Sequence, residues 1–468
     1  MKVTKLTAQR VHDYLPINLE FEPDLTFLTG LNGSGKTTAL RLLMGLLAPN
    51  LEDLIDVSFS SASATVADQH GELLIEATRS SDGLTLSTSR ASGALCLAPA
   101  DMQLLSEARA REEGGTPVHD KVTQSDVYRS IQSISTPMFL GLDRRLYFDS
   151  TALYRHVRRV RISDTSLRNI RVSPLHGSGA AALTDVNELV FASLHEIRAR
   201  QEQLDAELRN QILLDSFRYE PTRRFVTTKL PDRRALEDFR ARQAAVERAA
   251  AGLRLPVGPL ESALSDFFNR MKNVVDEVER STEAARNKGQ NEKLRPKNKL
   301  KKKSTTSSVD PSSPALEWIM NLQQADRIFR QIAQFEDYVG KRSRLHESVD
   351  RFLSLTNSFL SDTRKSVRVA DSGYLEVLLG DEPTPRPIQA LSSGERQLVV
   401  MLAHLSLNKG LAGSGVFIVD EPELSLHLGW QERFVGAIQE ANPDVQLIMA
   451  THSPAIILDR TEHCRTLS

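Results

Sequence analysis

The chain reads as an α/β protein whose core is drawn from both ends of the sequence and split by a helical insertion. Three observations predict this. A glycine-rich turn, Gly30-Leu31-Asn32-Gly33-Ser34-Gly35-Lys36-Thr37, joins an apolar run (Leu25 to Leu28) to a helix-like run (Thr38 to Leu47). Two more apolar runs, Val416 to Val419 and Val445 to Met449, come only near the other end, and each finishes in polar residues. Between them, from about Val186 to about Ser361, apolar residues recur at helical spacing.

Taken in order, Met1-Lys2-Val3-Thr4-Lys5-Leu6 alternates apolar and polar residues, which predicts a first strand and not the apolar centre of a signal peptide. The glycine-rich turn then fits G-x-x-x-x-G-K-[ST] with a strand before it and a helix after it. Such a turn aims several backbone N–H groups at one point, where the helix start also favours an anion, so the phosphates of a nucleotide suit it. Asn32, Gly33, Ser34, Gly35, Lys36, Thr37 and Thr38 form the candidate cradle, with Lys36 reaching the β- and γ-phosphates and the Thr37 hydroxyl a Mg²⁺ ligand. Residues 55 to 90 alternate in short stretches broken by Gln69-His70-Gly71 and Ser81-Asp82-Gly83, a β-meander. Residues 100 to 136 predict a short helix and a polar loop, and Pro137 to Leu142 another strand.

In the insertion, one stripe runs Val190, Leu194, Ile197, Leu204, Leu208. A second runs Leu260, Leu264, Phe267, Met271, Val274, Val278, and a third Ile328, Ile332, Phe335, Val339. They last only a few heptads, which favours core-facing amphipathic helices over a free coiled coil. Helices of about 30 residues span only ~45 Å. A basic tip, about residues 287 to 314, holds Lys288, Lys293, Arg295, Lys297, Lys299, Lys301, Lys302 and Lys303 against Glu292, followed by Ser/Thr/Pro-rich sequence. Its simplest reading is a solvated linker. The alternative is a nucleic-acid contact by phosphate neutralisation through residues 288 to 303, although aromatic residues for base stacking are absent there.

Ser366 to Ala370 and Leu375 to Leu379 predict strands that return to the core. Leu391-Ser392-Ser393-Gly394-Glu395-Arg396-Gln397 opens a helix in which Glu395 can complete a cap with Ser392. Val416 to Glu421 predicts a buried strand with two carboxylates at its tip: Asp420 to orient Mg²⁺ and Glu421 to polarise an attacking water. Ala450-Thr451-His452-Ser453-Pro454 sets a histidine at a further strand tip, where it can sense a γ-phosphate.

The order of these motifs resembles the ABC-type ATPases of the SMC, Rad50 and RecF kind over roughly residues 1 to 150 and 366 to 468. The resemblance implies Walker A at Gly30 to Thr37, a signature at Leu391 to Glu395, Walker B at Asp420 and Glu421, a D-loop at Glu423 to His427 and a switch histidine at His452. It further implies ATP and Mg²⁺ as ligands, hydrolysis of ATP, and two copies of the chain sandwiching two nucleotides. Ser392, Ser393, Gly394 and Glu395 of one copy would then face the phosphates held by the other. The third signature position is Ser393 rather than glycine, and Glu395 stands where transporters carry glutamine. Gln132 is the nearest Q-loop candidate, outside the assigned site. The expected divisions are residues 1 to 185, a helical insertion at 186 to 365, and 366 to 468.

A compact core with a short insertion, Glu-Pro-Glu-Leu-Ser-Leu-His and Thr-His-Ser-Pro also resembles ATPase subunits of anti-phage systems such as PARIS and Septu. The resemblance implies a sensor that responds to a phage-derived trigger and controls a separate effector nuclease. A RecF- or Rad50-like repair ATPase, or an ATP-binding scaffold with little turnover, are the alternatives. With the sequence ending at Ser468, a Toprim nuclease domain of the OLD kind is not expected in it. Composition narrows the rest. The 468 residues are 40% hydrophobic and carry a net charge of −1, so no global field draws the chain to nucleic acid or membrane. Two cysteines, Cys96 and Cys464, make neither a disulfide framework nor a metal hook, which fits a cytoplasmic protein, and no run approaches the roughly 20 apolar residues of a membrane span.

Overall fold

A computed structural model describes residues 1–48, 51–110, 117–134, 137–141, 146–147, 179–217, parts of 262–280, 314–380, 384–408 and 415–467. The basic tip, the stripe residues Leu260, Leu264 and Val278, and residues 142–145 lie outside the described set.

The amino-terminal strands are β1 (Lys2–Val11), β2 (Leu15–Glu20) and β3 (Leu25–Thr29), after which α1 (Lys36–Leu47) and α2 (Leu51–Asp56) follow. An antiparallel meander comes next: β4 (Ser61–Asp68), β5 (Gly71–Ser80), β6 (Gly83–Thr88) and β7 (Ala94–Leu97). With β1 and β2 it forms a six-stranded sheet of order β2-β1-β4-β5-β6-β7. Its inward positions, such as Ala64, Val66, Leu73, Ile75 and Leu86, are buried while their neighbours face outward, as alternation requires. Residues 100 to 134 hold three helices instead of one and a loop: α3 (Pro99–Ala110), α4 (Pro117–Thr123) and α5 (Asp126–Gln132). Val118, Val122, Val127 and Ile131 are buried, so tertiary packing carries helices too short to show a clear period.

After β8 (Met138–Leu140) and β9 (Leu146–Tyr147) come two long helices, α6 (Gly179–Ser216) and α7 (Pro314–Leu360). They contain 38 and 47 residues, roughly 57 and 70 Å of helix, and so exceed the length expected from the stripes. The strands β10 (Lys365–Val369), β11 (Leu375–Leu379) and β12 (Arg386–Pro387) build a small antiparallel sheet. Then α8 (Ser393–Leu407), β13 (Val416–Asp420), α9 (Leu428–Ala441), β14 (Gln446–Ala450), α10 (Pro454–Ile457) and β15 (Cys464–Thr466) complete the chain.

The second large sheet has the order β15-β3-β14-β13-β8-β9, so strands from residues 25 to 29 and from 416 to 466 interleave. All its pairings are parallel except β8 with β9. This explains the unbroken apolar runs: β13 and β14 are buried at every position, as strands covered on both faces must be. Leu28, Val416, Ile418, Ile448 and Ala450 share one core with α1 and the antiparallel sheet. Gln446 staples the two sheets, its amide donating to the Val3 and Glu22 carbonyls at 2.7 Å each and accepting from the Val3 N–H at 2.6 Å.

The chain divides into two compact units, residues 1–196 with 347–468, and residues 197–346. In the first, the helix ends nearest the sheets are buried at Val186, Val190, Phe352 and Phe359. They are tied to the β10–β11 hairpin: Asn357 exchanges two hydrogen bonds with Val367, and the Leu375 N–H donates to Asn187. In the second, Tyr338 donates to Asp205 at 2.6 Å and Arg330 to Asp215 at 3.3 Å, so α6 and α7 run antiparallel.

Candidate nucleotide site

Strand register brings the motifs together. Asp420 lies opposite Ala450, and Ala450 opposite Leu28, so β3, β13 and β14 end in line at the same sheet edge. The glycine-rich turn leaves the first strand there, Glu421 the second, and Thr451 and His452 the third. This is the carboxyl edge, where open α/β sheets present ligands.

The turn has the backbone its glycines permit. Gly33 and Gly35 hold φ of 86° and 91°, and a Cβ on Gly35 would stand 2.5 Å from Leu15 Cδ2. Gly35 caps α1 with no side-chain hydrogen bond, so the first N–H groups of the helix stay available to an anion. Lys36 is buried, its ammonium donating to the carbonyls of Gly30 (3.1 Å) and Leu31 (3.2 Å). Asn32 and Gly33 are exposed at the crest, and the Ser34 hydroxyl is buried without a partner. The Thr38 hydroxyl lies 3.4 Å from His12, whose β1–β2 turn was not singled out by sequence.

Asp420 is 2% exposed, and neither carboxylate oxygen has a hydrogen bond of full geometry. Burial pushes its carboxyl up to about 6; the Thr37 hydroxyl and Lys36 act against this, while Glu421 and Glu423 add to it. An orphaned, buried carboxylate beside a helix-start threonine is the donor set a hard divalent cation takes, so Thr37 and Asp420 fit Mg²⁺. Glu421 sits in the left-handed region at φ 45°, with its N–H bound to the Ala450 carbonyl at 2.9 Å. Strain of this kind, costing on the order of 1–3 kcal/mol, persists where surrounding structure enforces it.

A second cluster forms at α8. Ser392 caps the helix and Glu395 returns the bond to the Ser392 N–H at 2.7 Å, a complete capping box. The Glu395 carboxylate also accepts from Thr363 at 2.9 Å and from Lys365 at 2.8 and 3.0 Å. Burial alone would raise its pKa, but Lys365, the Ser392 N–H and Thr363 outweigh this and hold it below the usual carboxylate range. Within this chain the Glu395 oxygens are taken up in fixing the helix start. Ser392 and Ser393 remain exposed, and Gly394 lies so close to the Ser425 carbonyl that a Cβ would stand 3.0 Å from it. Gln132 is exposed at the end of α5.

Sequence reasoning missed the bonds between tips. Glu423 accepts from the Thr451 hydroxyl at 2.9 Å and from the His452 N–H at 2.7 Å. Gln431 accepts from Ser453 at 2.7 Å and donates to the Leu426 carbonyl at 2.9 Å. The signal was partial: Pro422 ends the strand, which frees Glu423 to turn back, but its partners lie 28 and 29 residues away.

Residues 259–459 match the family described as AAA domain, putative AbiEii toxin, Type IV TA system. The chain is similar to the "Retron Vc95 probable ATPase" of Vibrio cholerae serotype O1 biovar El Tor, 24% identical over 58% of this chain and 51% of the relative. It is also similar to the "Retron Ec83 probable ATPase" of Escherichia coli, 22% identical over 26% of each. The chain thus spans about half the length of the first relative and a quarter of the second. Among solved structures, the Smc head domain of Pyrococcus furiosus bound to the C-terminal domain of ScpA aligns over 97% of this chain and 91% of that chain, at 13% identity and a TM-score of 0.37. The SMC head domain from Thermotoga maritima aligns over 100% and 94%, at 10% identity and 0.35. At such scores the fold rests on this chain's own sheet order and motif placement. On that footing the fold is the α/β fold of a P-loop ATPase, and the chain is similar to probable ATPases of retrons. Among the described residues no helix is long and apolar enough to cross a membrane.

Proposed function

We propose that the chain binds ATP with Mg²⁺ between two copies of itself, hydrolyses it, and serves as a switch in antiviral defence that controls a separate effector nuclease. The observation that carries the ATP reading is the Asp420 carboxylate, buried without a hydrogen bond of full geometry and facing the Thr37 hydroxyl, at the edge where the glycine-rich turn begins.

The turn's N–H groups and Lys36 would hold the phosphates, Lys36 exchanging its two carbonyl partners for phosphate oxygens of greater charge. When bound between Thr37 and Asp420, Mg²⁺ would offset charge on the β- and γ-phosphates. Glu421, one residue beyond, would accept a proton from the attacking water, and His452 would meet the γ-phosphate from the neighbouring strand. The exposed Ser392 and Ser393 and the half-buried Gly394 would serve the partner's nucleotide, their helix start held rigid by Glu395 and Lys365. Phe359 packs edge-on against Trp430, whose indole donates to Asp362 at 2.9 Å. The end of α7 is thereby fixed to the helix after the D-loop, so dimer closure would be felt by the long helices.

Phosphate release by the purified chain tests the enzymatic part. Glu421→Gln should bind ATP and fail to turn it over; undiminished turnover would remove Glu421 from its role. Affinity purification from the native host, followed by mass spectrometry, tests the defence part, which expects a nuclease to co-purify.

A further inference from the structure

We propose that Glu423 is a positioning residue that joins the base and the sensing histidine into one rigid body, acting by the reach of its side chain and not by its charge. The inference rests on the ATPase reading above. Glu421 and His452 belong to turns leaving two neighbouring parallel strands, which register fixes only as far as Asp420 and Ala450. Beyond that point the β13 tip is a single 3₁₀ turn, Pro422–Leu424, and the β14 tip keeps one backbone bond to β3, from the Thr451 N–H to the Leu28 carbonyl at 3.3 Å, so neither of these holds one tip to the other. The Glu421 N–H to Ala450 carbonyl bond makes one tie between them. Glu423 makes two more from its single carboxylate, to the buried Thr451 hydroxyl and the His452 backbone N–H. Ser453 continues the brace, its N–H donating to Thr451 and its hydroxyl to Gln431, which also holds the Leu426 carbonyl. The histidine's backbone is therefore located by the residue two positions past the base.

Both bonds to Glu423 come from donors, but only one donor is obligatory. The His452 N–H must meet an acceptor, whereas the Thr451 hydroxyl can rotate to accept from an amide. Glu423→Gln therefore keeps both ties without charge. Glu423→Asp keeps the charge but retracts the carboxylate by one methylene, out of reach of at least one donor. A charge role, as metal ligand or second base, predicts the opposite ranking.

The experiment measures ATP turnover and affinity for a non-hydrolysable ATP analogue in the full chain. Glu423→Asp should lower kcat about tenfold or more, Glu423→Gln should retain about half or more, and analogue affinity should stay within about twofold in both. Combined with His452→Ala, Glu423→Asp should add less than about twofold, because two residues that act as one unit do not contribute twice. Activity retained by Glu423→Asp and lost by Glu423→Gln, or multiplicative losses in the double variant, would overturn the brace while leaving the ATPase reading intact. Absence of ATP turnover in the unaltered protein would overturn both.

Discussion

Replacing Asp420 with asparagine should stabilise the nucleotide-free protein while disabling it. The rise of its carboxyl from an ordinary 3.8 to about 6 corresponds to about 3 kcal/mol of penalty at neutral pH, at ~1.4 kcal/mol per unit. Asparagine has nearly the same shape and no charge. Its buried amide has the Thr37 hydroxyl as an acceptor, so incomplete bonding should return only about 1 kcal/mol. The net gain is about 2 kcal/mol, or about 2–3 °C in Tm for a body of this size. The sign with pH follows from a carboxyl raised on folding. Between about pH 4 and 6 the folded state binds more protons than the unfolded chain, and stability falls as pH rises through that window. The penalty is full above the window and absent below it. At pH 5 about half remains, so the gain from Asp420→Asn should shrink to well under 1 kcal/mol. Thermal unfolding by circular dichroism at pH 7.5 and 5, with and without MgATP, reads all of this. An unchanged or lowered Tm at pH 7.5, or an equal gain at both pH values, would refute the argument.

Lys36→Ala removes charge and reach together and should weaken ATP binding about 100-fold or more by calorimetry, with little change in Tm since only two loop carbonyls lose their donor. Lys365→Met leaves Glu395 buried without its cation and should cost about 2–3 kcal/mol at pH 7, less than a fully buried pair because Lys365 is partly exposed. As the Glu395 pKa is lowered by folding, that difference should be present above pH 4.5 and fade as pH falls below it, in denaturant titrations. Gly35→Ala should destabilise more than Gly33→Ala: both need positive φ, but only the former drives a Cβ to 2.5 Å from Leu15. Equal Tm losses would place the cost in the backbone alone.

What could be read in the sequence was what local physics dictates. β3, β13 and β14 announced themselves because a strand covered on both faces has no polar position to spare, and the turn at Gly30 to Thr37 because its glycines have few other uses. The Ser392–Glu395 cap was legible as a three-residue spacing. Its further clamp was not, since Thr363 and Lys365 precede Glu395 by 32 and 30 residues and only folding makes them neighbours. The lengths of α6 and α7 escaped because short stripes mark where a helix buries a face, and do not mark where it ends. Glu423 lay within a recognised segment, yet its function depends on strand register, which alternation within one strand cannot reveal.

The shared nucleotide seam is open to one direct reading. Sedimentation velocity of Glu421→Gln, with and without MgATP, should show monomer converting to dimer on ATP addition, and adding Ser392→Arg should abolish the dimer while each chain still binds ATP. A chain that stays monomeric with ATP bound, in a protein whose unaltered form hydrolyses ATP at full rate as a monomer, would contradict it.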